Sequence, residues 1–344
     1  MRLSQVGEFE LIKQIRSNLP ASQKEVVVGV GDDAALIRVS PQKFLLFTTD
    51  TLVENVHFKW DYTSPFQIGW KALAVNISDI AAMGGKPTYC LISLAISGDV
   101  EKSLVNELYK GLKKIASLYK IEITGGDLVY SPVFMVTICL LGEADKDNFV
   151  LRSGAKKGDL IYVTGDLGAS KAGLVCLENL KKNRRKEAPF IKKHLMPYPK
   201  LKEGQQIAKN KLSNAMIDIS DGLVSDLFHI AEESGVGAII QEEKITLNPS
   251  VRKLAREIKA SALNWALYGG EDYELLFTVP KDKKRMVEET LSFSPILIGE
   301  VVDKKEGISL IDTSGKRIEL KGRGYDHFLK VDQINHSGKG VKNA

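Results

Sequence analysis

In Ser64-Pro65-Phe66-Gln67-Ile68-Gly69-Trp70-Lys71-Ala72-Leu73-Ala74-Val75-Asn76-Ile77-Ser78-Asp79-Ile80-Ala81-Ala82-Met83-Gly84-Gly85, a serine stands at an N-cap position and a proline follows it. Two glycines and then Pro87 close the run, which predicts one long helix over residues 65–83. The run is apolar almost throughout, yet it carries a carboxylate, Asp79. Upstream lie three short β-rich runs, 26–30, 35–39 and 44–48. The first two flank Gly31-Asp32-Asp33, as antiparallel strands joined by a polar turn would. Before them, Leu11, Ile12, Ile15 and Leu19 recur at helical spacing until Pro20. Downstream the pattern predicts a strand over 89–97, a helix over 100–119, and strands over 121–124 and 133–142. This is an α+β first half ending near Asp147.

A new unit opens at Gly158-Asp159-Leu160-Ile161-Tyr162-Val163-Thr164-Gly165, a strand entering a glycine turn, with a helix expected over 169–180. The charge run 181–187 lacks apolar periodicity and is expected to be a loop. Strands follow over 215–219, 237–241, 273–279 and 296–301, with helices over 223–233, 249–258 and 261–267 between them. At 344 residues the chain has room for two domains with their own cores. We place them at 1–148 and 149–330, with a polar tail at 331–344 expected to be disordered.

Composition narrows the function classes. With 44% hydrophobic and 26% charged residues and no long apolar run, the chain lacks a membrane span. Its first twenty residues mix charged and apolar positions, unlike a signal peptide. A cytoplasmic location is expected. Cys90, Cys139 and Cys176 stand singly, far from any metal-knuckle spacing. The net charge of +5 arises largely from lysines at 181–186 and after residue 330. These read as solvated surface, so no nucleic-acid partner is expected.

The aspartates carry the chemistry. Asp32 and Asp33 follow Gly29-Val30-Gly31, Asp50 ends Phe47-Thr48-Thr49-Asp50, and Asp79 ends Asn76-Ile77-Ser78-Asp79. Asp127 follows Gly125-Gly126, and Asp218 and Asp221 lie in Ile217-Asp218-Ile219-Ser220-Asp221-Gly222. Each interrupts or ends an apolar run, where a carboxylate is partly desolvated and needs a cation or N–H donors. Any one of them alone reads as an N-cap or Asx-turn. Together, with neighbouring hydroxyls and no His or Cys cluster, they suit several Mg²⁺ ions bridged by a nucleotide triphosphate. Walker A and protein-kinase motifs are absent. Glycine turns at Gly125-Gly126, Gly165 to Gly168 and Gly269-Gly270 remain as places where backbone N–H groups could approach phosphate.

In order along residues 7–328 come Gly7-Glu8-Phe9, Val28-Gly29-Val30-Gly31-Asp32-Asp33, Thr48-Thr49-Asp50-Thr51-Leu52-Val53, His57-Phe58, the Lys71 to Asp79 run, Gly125-Gly126-Asp127, Arg152-Ser153-Gly154-Ala155, Ile217 to Leu223, Gly269-Gly270-Glu271-Asp272-Tyr273-Glu274-Leu275 and Gly324-Tyr325-Asp326-His327-Phe328. This ordered set resembles the thiamine-monophosphate kinases, of the aminoimidazole-ribonucleotide synthetase superfamily. The resemblance implies a two-domain α+β fold whose N-terminal α/β sandwich half dimerises.

The resemblance also implies roles. Asp32, Thr48, Thr49, Asp50, Asp79, Asp127, Asp218 and Asp221 would hold magnesium, directly or through water. Tyr109, Gly126, Asp127, Arg152 and Ser220 would contact ATP, and His57, Glu271 and Tyr325 would hold thiamine monophosphate. Chemically, Tyr325 can stack on the substrate rings, Glu271 can accept from an aminopyrimidine or face the cation, and Arg152 can clamp phosphate. Leu128 and Val129 follow Asp127 where relatives commonly carry hydroxyls. The implied reaction is direct transfer of the ATP γ-phosphoryl group to thiamine monophosphate, without a phosphoenzyme. The rivals are an ATP-dependent synthetase of the same superfamily and a nucleotide-binding maturation protein without turnover.

Overall fold

The structure is a computed structural model that describes residues 2–20, 23–179, 189–321 and 328. The 65–83 run forms the Pro65–Ala82 helix. Ser64 Oγ accepts from Gln67 N, and the Gln67 side chain accepts from Ser64 N in return, closing a capping box. Fourteen of its residues are buried, Lys71, Asn76 and Ser78 among them. A helix apolar on every side must be covered on every side. This one packs on the N-terminal sheet and on the Lys102–Tyr119 helix, and also meets strand and helix of the C-terminal half.

The N-terminal sheet comprises β1 (Val26–Val28), β2 (Ala35–Arg38), β3 (Lys43–Val53), β4 (Lys86–Ile96), β5 (Glu122–Tyr130) and β6 (Met135–Asp145), in the order β1-β2-β3-β6-β4-β5. Only β4 and β5 pair parallel, joined by the Lys102–Tyr119 helix as the crossover. The two long helices touch backbone to backbone. A Cβ at Gly69 would lie 2.1 Å from Leu108 O, and one at Gly111 2.0 Å from Phe66 O.

The second sheet comprises β7 (Leu160–Val163), β8 (Ala215–Asp218), β9 (Gly237–Gln241), β10 (Leu275–Val279), β11 (Ile296–Val302), β12 (Ile308–Ile311) and β13 (Arg317–Glu319), in the order β13-β12-β9-β11-β7-β10-β8. Its pairs are antiparallel except β9 with β12. One apolar core passes between the halves, joining Leu73, Ile77 and Ile80 to Ile207, Met216, Leu275 and Phe277. A second lies within the C-terminal half around Ile217, Leu227 and Ile240. The two-core expectation thus meets a shared core, because one helix supplies apolar faces to both halves.

Several boundaries moved. The glycine turn expected at Gly125-Gly126 is continuous strand in β5, whose parallel pairing carries it through to Tyr130. The Pro189–Leu195, Leu201–Lys209 and Lys284–Thr290 helices and strands β12 and β13 were not expected. The expected loop at 181–187 and the tail at 331–344 lie outside the described residues.

Candidate active site

A cleft of about 1450 Å³ is lined by both halves and by the Glu8–Asn18 helix. Inside it, carboxylate oxygens of Asp33, Asp79 and Asp218 lie within 4.8 Å of one another. Three separate elements bring them together: the turn before β2, the last turns of the Pro65–Ala82 helix, and the end of β8. Thr48 and Asp50 sit two residues apart on β3, hence on one face of the strand. Thr48 Oγ1 donates to Asp79, the Asp50 carboxylate neighbours that of Asp79, and Ser78 Oγ donates to Asp218 Oδ2 at 2.5 Å. Arg152 Nε and Nη2 donate to Asp33 Oδ1 at 3.1 and 2.6 Å. A second group, Asp221, Asp226 and His229, lines the same cleft.

The charges do not balance. At an effective dielectric of ~20, each like-charged pair inside 4.8 Å repels by at least about 3.5 kcal/mol. Arg152 is the one cation in hydrogen-bonding contact with the trio among the described residues. Burial first, and then the neighbouring carboxylates, push the pKa values of Asp79 and Asp218 up, and burial raises those of Asp33 and Asp50 as well. Asp33 Oδ2 is buried with no hydrogen-bond partner. An all-oxygen donor set with an orphaned carboxylate oxygen fits a hard divalent cation such as Mg²⁺.

The motif Gly269-Gly270-Glu271-Asp272-Tyr273-Glu274-Leu275 splits its acids between three tasks. Asp272 accepts from Gly168 N at 2.5 Å and Ser170 N at 2.9 Å, capping the Ala169–Asn179 helix. Gly168, which ends the Gly165 to Gly168 turn, therefore gives its N–H to Asp272, and Leu167 gives its own to Thr246 O. Glu274 takes Thr164 Oγ1, Lys193 and Lys200. Glu271 alone faces the cleft, with φ 66°, and Tyr273 follows at φ 49°. Left-handed backbone at two non-glycine residues is strain of the kind held at functional sites. His57 Nδ1 accepts from Val53 N at 3.0 Å, and the ring lines the cleft.

The cleft gathers Thr48, Thr49, Asp50, Asp79, Arg152, Ser220, Asp221, Asp218, His57 and Glu271 from the expected set. Thr49 gives its hydroxyl hydrogen to Ile138 O at 3.0 Å. Asp33 stands in the cluster where the resemblance implied Asp32. Asp32 instead accepts from Arg152 N at 3.1 Å and Asp33 N at 3.0 Å, bracing the turn. Asp127, Gly126 and Tyr109 do not line the cleft. Asp127 shares a cross-sheet row with Ser93, Thr137 and Thr51, three strand spacings or about 14 Å from β3, and is exposed. Gly126 is glycine for another reason: a Cβ there would lie 1.8 Å from Ile92 O. Tyr109 packs half-buried against the N-terminal core. Tyr325 lies outside the described residues. Sequence reasoning missed Lys71, His194, Asp226 and His229, since a single charged or imidazole side chain among apolar neighbours reads as ordinary packing until its partner is known.

These features define an AIR synthase-related protein. The family profile for the AIR synthase related protein N-terminal domain matches residues 31–144, and that for the C-terminal domain matches 156–312. The chain is 39% identical to the thiamine-monophosphate kinase of Escherichia coli K12, covering 94% of this chain and 98% of that one. It is likewise 39% identical to that of Bacillus subtilis, at 94% and 100% coverage. Among solved structures, AaThiL complexed with AMPPCP and TMP superposes with a TM-score of 0.83 at 38% identity, over 95% of this chain and 99% of that one. The hydrogenase maturation protein HypE in complex with ATP shares the fold alone, at 14% identity and a TM-score of 0.64. The chain belongs to the thiamine-monophosphate kinase family.

Proposed function

We propose that this protein moves the γ-phosphoryl group of ATP to the phosphate oxygen of thiamine monophosphate, giving thiamine diphosphate in one in-line step. The observation that carries this reading is the carboxylate cluster around Asp79, with its orphaned Asp33 oxygen, inside a cleft that His57 and Glu271 also line. Asp33, Asp50, Asp79, Asp218 and Thr48 would hold Mg²⁺, and Asp221 would add a further carboxylate. The ion, when bound, supplies charge neutralisation between two polyanions. Arg152, Lys13, Arg16, Lys59 and Lys171 border the cleft as further cations for phosphate. No strong general base is needed, because a phosphate monoester is largely ionised at neutral pH, with a second pKa of about 6.

Two implied contacts, Asp127 and Gly126, stand on an exposed edge strand away from the cleft. A homodimer reconciles them. Phe47, Tyr89 and Leu91 are exposed apolar side chains on the face of the N-terminal sheet that also carries Asp127, and a second sheet laid against them would cover them. One copy's Asp127 would then border the other copy's cleft. Among the described residues no helix is long and apolar enough to cross a membrane, which agrees with a cytoplasmic enzyme. The direct test is purified protein with ATP, Mg²⁺ and thiamine monophosphate, followed for thiamine diphosphate. Absence of product, with ATP and Mg²⁺ bound, would overturn the reading.

A further inference from the structure

Glu271 is gripped from both sides. Lys71 Nζ lies 2.5 Å from Oε1, and His194 Nδ1 lies 3.1 Å from Oε2, with Ser170 Oγ 3.0 Å from the same ring nitrogen. Lys71 comes from the Pro65–Ala82 helix of the N-terminal half and His194 from the Pro189–Leu195 helix. Both are 3% exposed, whereas the Glu271 side chain keeps 26% exposure on the cleft wall. A carboxylate only accepts, so His194 Nδ1 carries the proton. The backbone is pinned as well: Glu271 N donates to Ser220 O at 2.7 Å and Tyr273 N to Ile219 O at 2.9 Å. Burial alone would raise the pKa of Glu271, but Lys71 and then His194 more than offset it, leaving the pKa well below the usual carboxylate range.

Burying a lysine head and holding a non-glycine residue left-handed both cost stability. Asp272 and Glu274, both just downstream, already tie this loop to its neighbours. The extra devices all act on one carboxylate, and they set its charge as well as its place. With an ammonium against Oε1, the attraction of Glu271 for a second cation is largely cancelled by repulsion from Lys71. Each carboxylate oxygen still has lone-pair capacity for another N–H donor.

We propose that Lys71 and His194 are positioning residues that hold Glu271 as a charge-balanced acceptor, so that Glu271 reads a neutral N–H donor of the substrate rather than its positive charge. The inference rests on the function proposed above, in which the substrate is thiamine monophosphate. That molecule offers both features separately, an aminopyrimidine and a cationic thiazolium. The amino group is the one Glu271 selects.

The experiment compares three phosphate acceptors with the full-length wild-type protein: thiamine monophosphate, its oxo analogue lacking the amino group but keeping the charge, and a deaza analogue keeping the amino group on an uncharged five-membered ring partner. The oxo analogue should lose at least 30-fold in kcat/KM and the deaza analogue less than 5-fold. Lys71→Met should raise KM for thiamine monophosphate at least 10-fold, with kcat less affected and KM for ATP within 2-fold, and Lys71→Arg should recover most of the loss. A deaza analogue as impaired as the oxo analogue would overturn the inference, as would equal effects of Lys71→Met on both KM values. Should Lys71→Met fail to fold, the wild-type acceptor ranking still decides. A wild-type protein inactive on thiamine monophosphate overturns the proposed function itself, whereas turnover with the opposite ranking overturns this inference alone.

Discussion

Asp79 accepts from Thr48 and lies beside Asp33, Asp50 and Asp218, so exchanging it for its amide removes charge while keeping shape. Relieving like-charge repulsion should leave Asp79→Asn as stable as the parent or more so, while the step that needs a positioned cation slows by about a hundredfold or more. Melting temperature and kcat measured side by side check it, and near-normal turnover at ordinary Mg²⁺ would remove Asp79 from the ligand set. Buried His194 gives a pH prediction of known sign. Burial and then Lys71 hold its pKa below the ordinary 6.5, so the unfolded chain binds the proton more tightly. Its contribution to stability is present above 6.5 and lost as pH falls below that value. Glu271, also depressed, acts in the same direction below its own ordinary 4.5. The raised aspartates act in the opposite direction, so a difference measurement is needed. His194→Gln should flatten the fall in melting temperature between pH 7 and 5 relative to wild type, and an unchanged slope would count against a buried neutral histidine. The aspartates were legible in sequence because a carboxylate inside an apolar run is anomalous by itself. That Asp33, and not Asp32, faces the cluster was not legible, since adjacent residues on a turn differ only in where the backbone aims them.

Among the elements, the Pro65–Ala82 helix was readable end to end from its cap, its proline and its glycines, and the structure stops it one residue short of Met83. The turn assigned to Gly125-Gly126 was misread because two glycines signal bending equally with close strand approach, and only the partner strand tells which. The same distinction yields a prediction where the two long helices cross. A methyl at residue 111 would sit 2.0 Å from Phe66 O, a contact that the helices can relieve only by moving apart. Gly111→Ala should therefore destabilise the fold by about 3 kcal/mol despite the better helix propensity of alanine. The denaturant midpoint reads it directly, and a neutral or stabilising change would mean the crossing is looser than described.

For the molecule as a whole, the exposed apolar residues on the N-terminal sheet predict a dimer in solution. Leu91 is 48% exposed on β4, and Leu91→Lys should leave the fold intact while converting a dimer mass to a monomer mass by light scattering. Activity should fall with it if one copy's Asp127 serves the other's cleft, and a wild-type monomer at micromolar concentration would end that reading. The two-part α+β plan was visible in the order of the elements. The core shared between the parts was not, because periodicity shows that a helix is apolar all round without naming what lies on each side. That sharing has a consequence for how the protein is made. The Pro65–Ala82 helix leaves the ribosome long before β8 and the Leu201–Lys209 helix that cover its far side, so the nascent N-terminal half carries an apolar stripe with nothing yet to bury it. Chaperone capture should centre on that interval of synthesis, and the finished chain should melt in a single calorimetric transition with no separable halves.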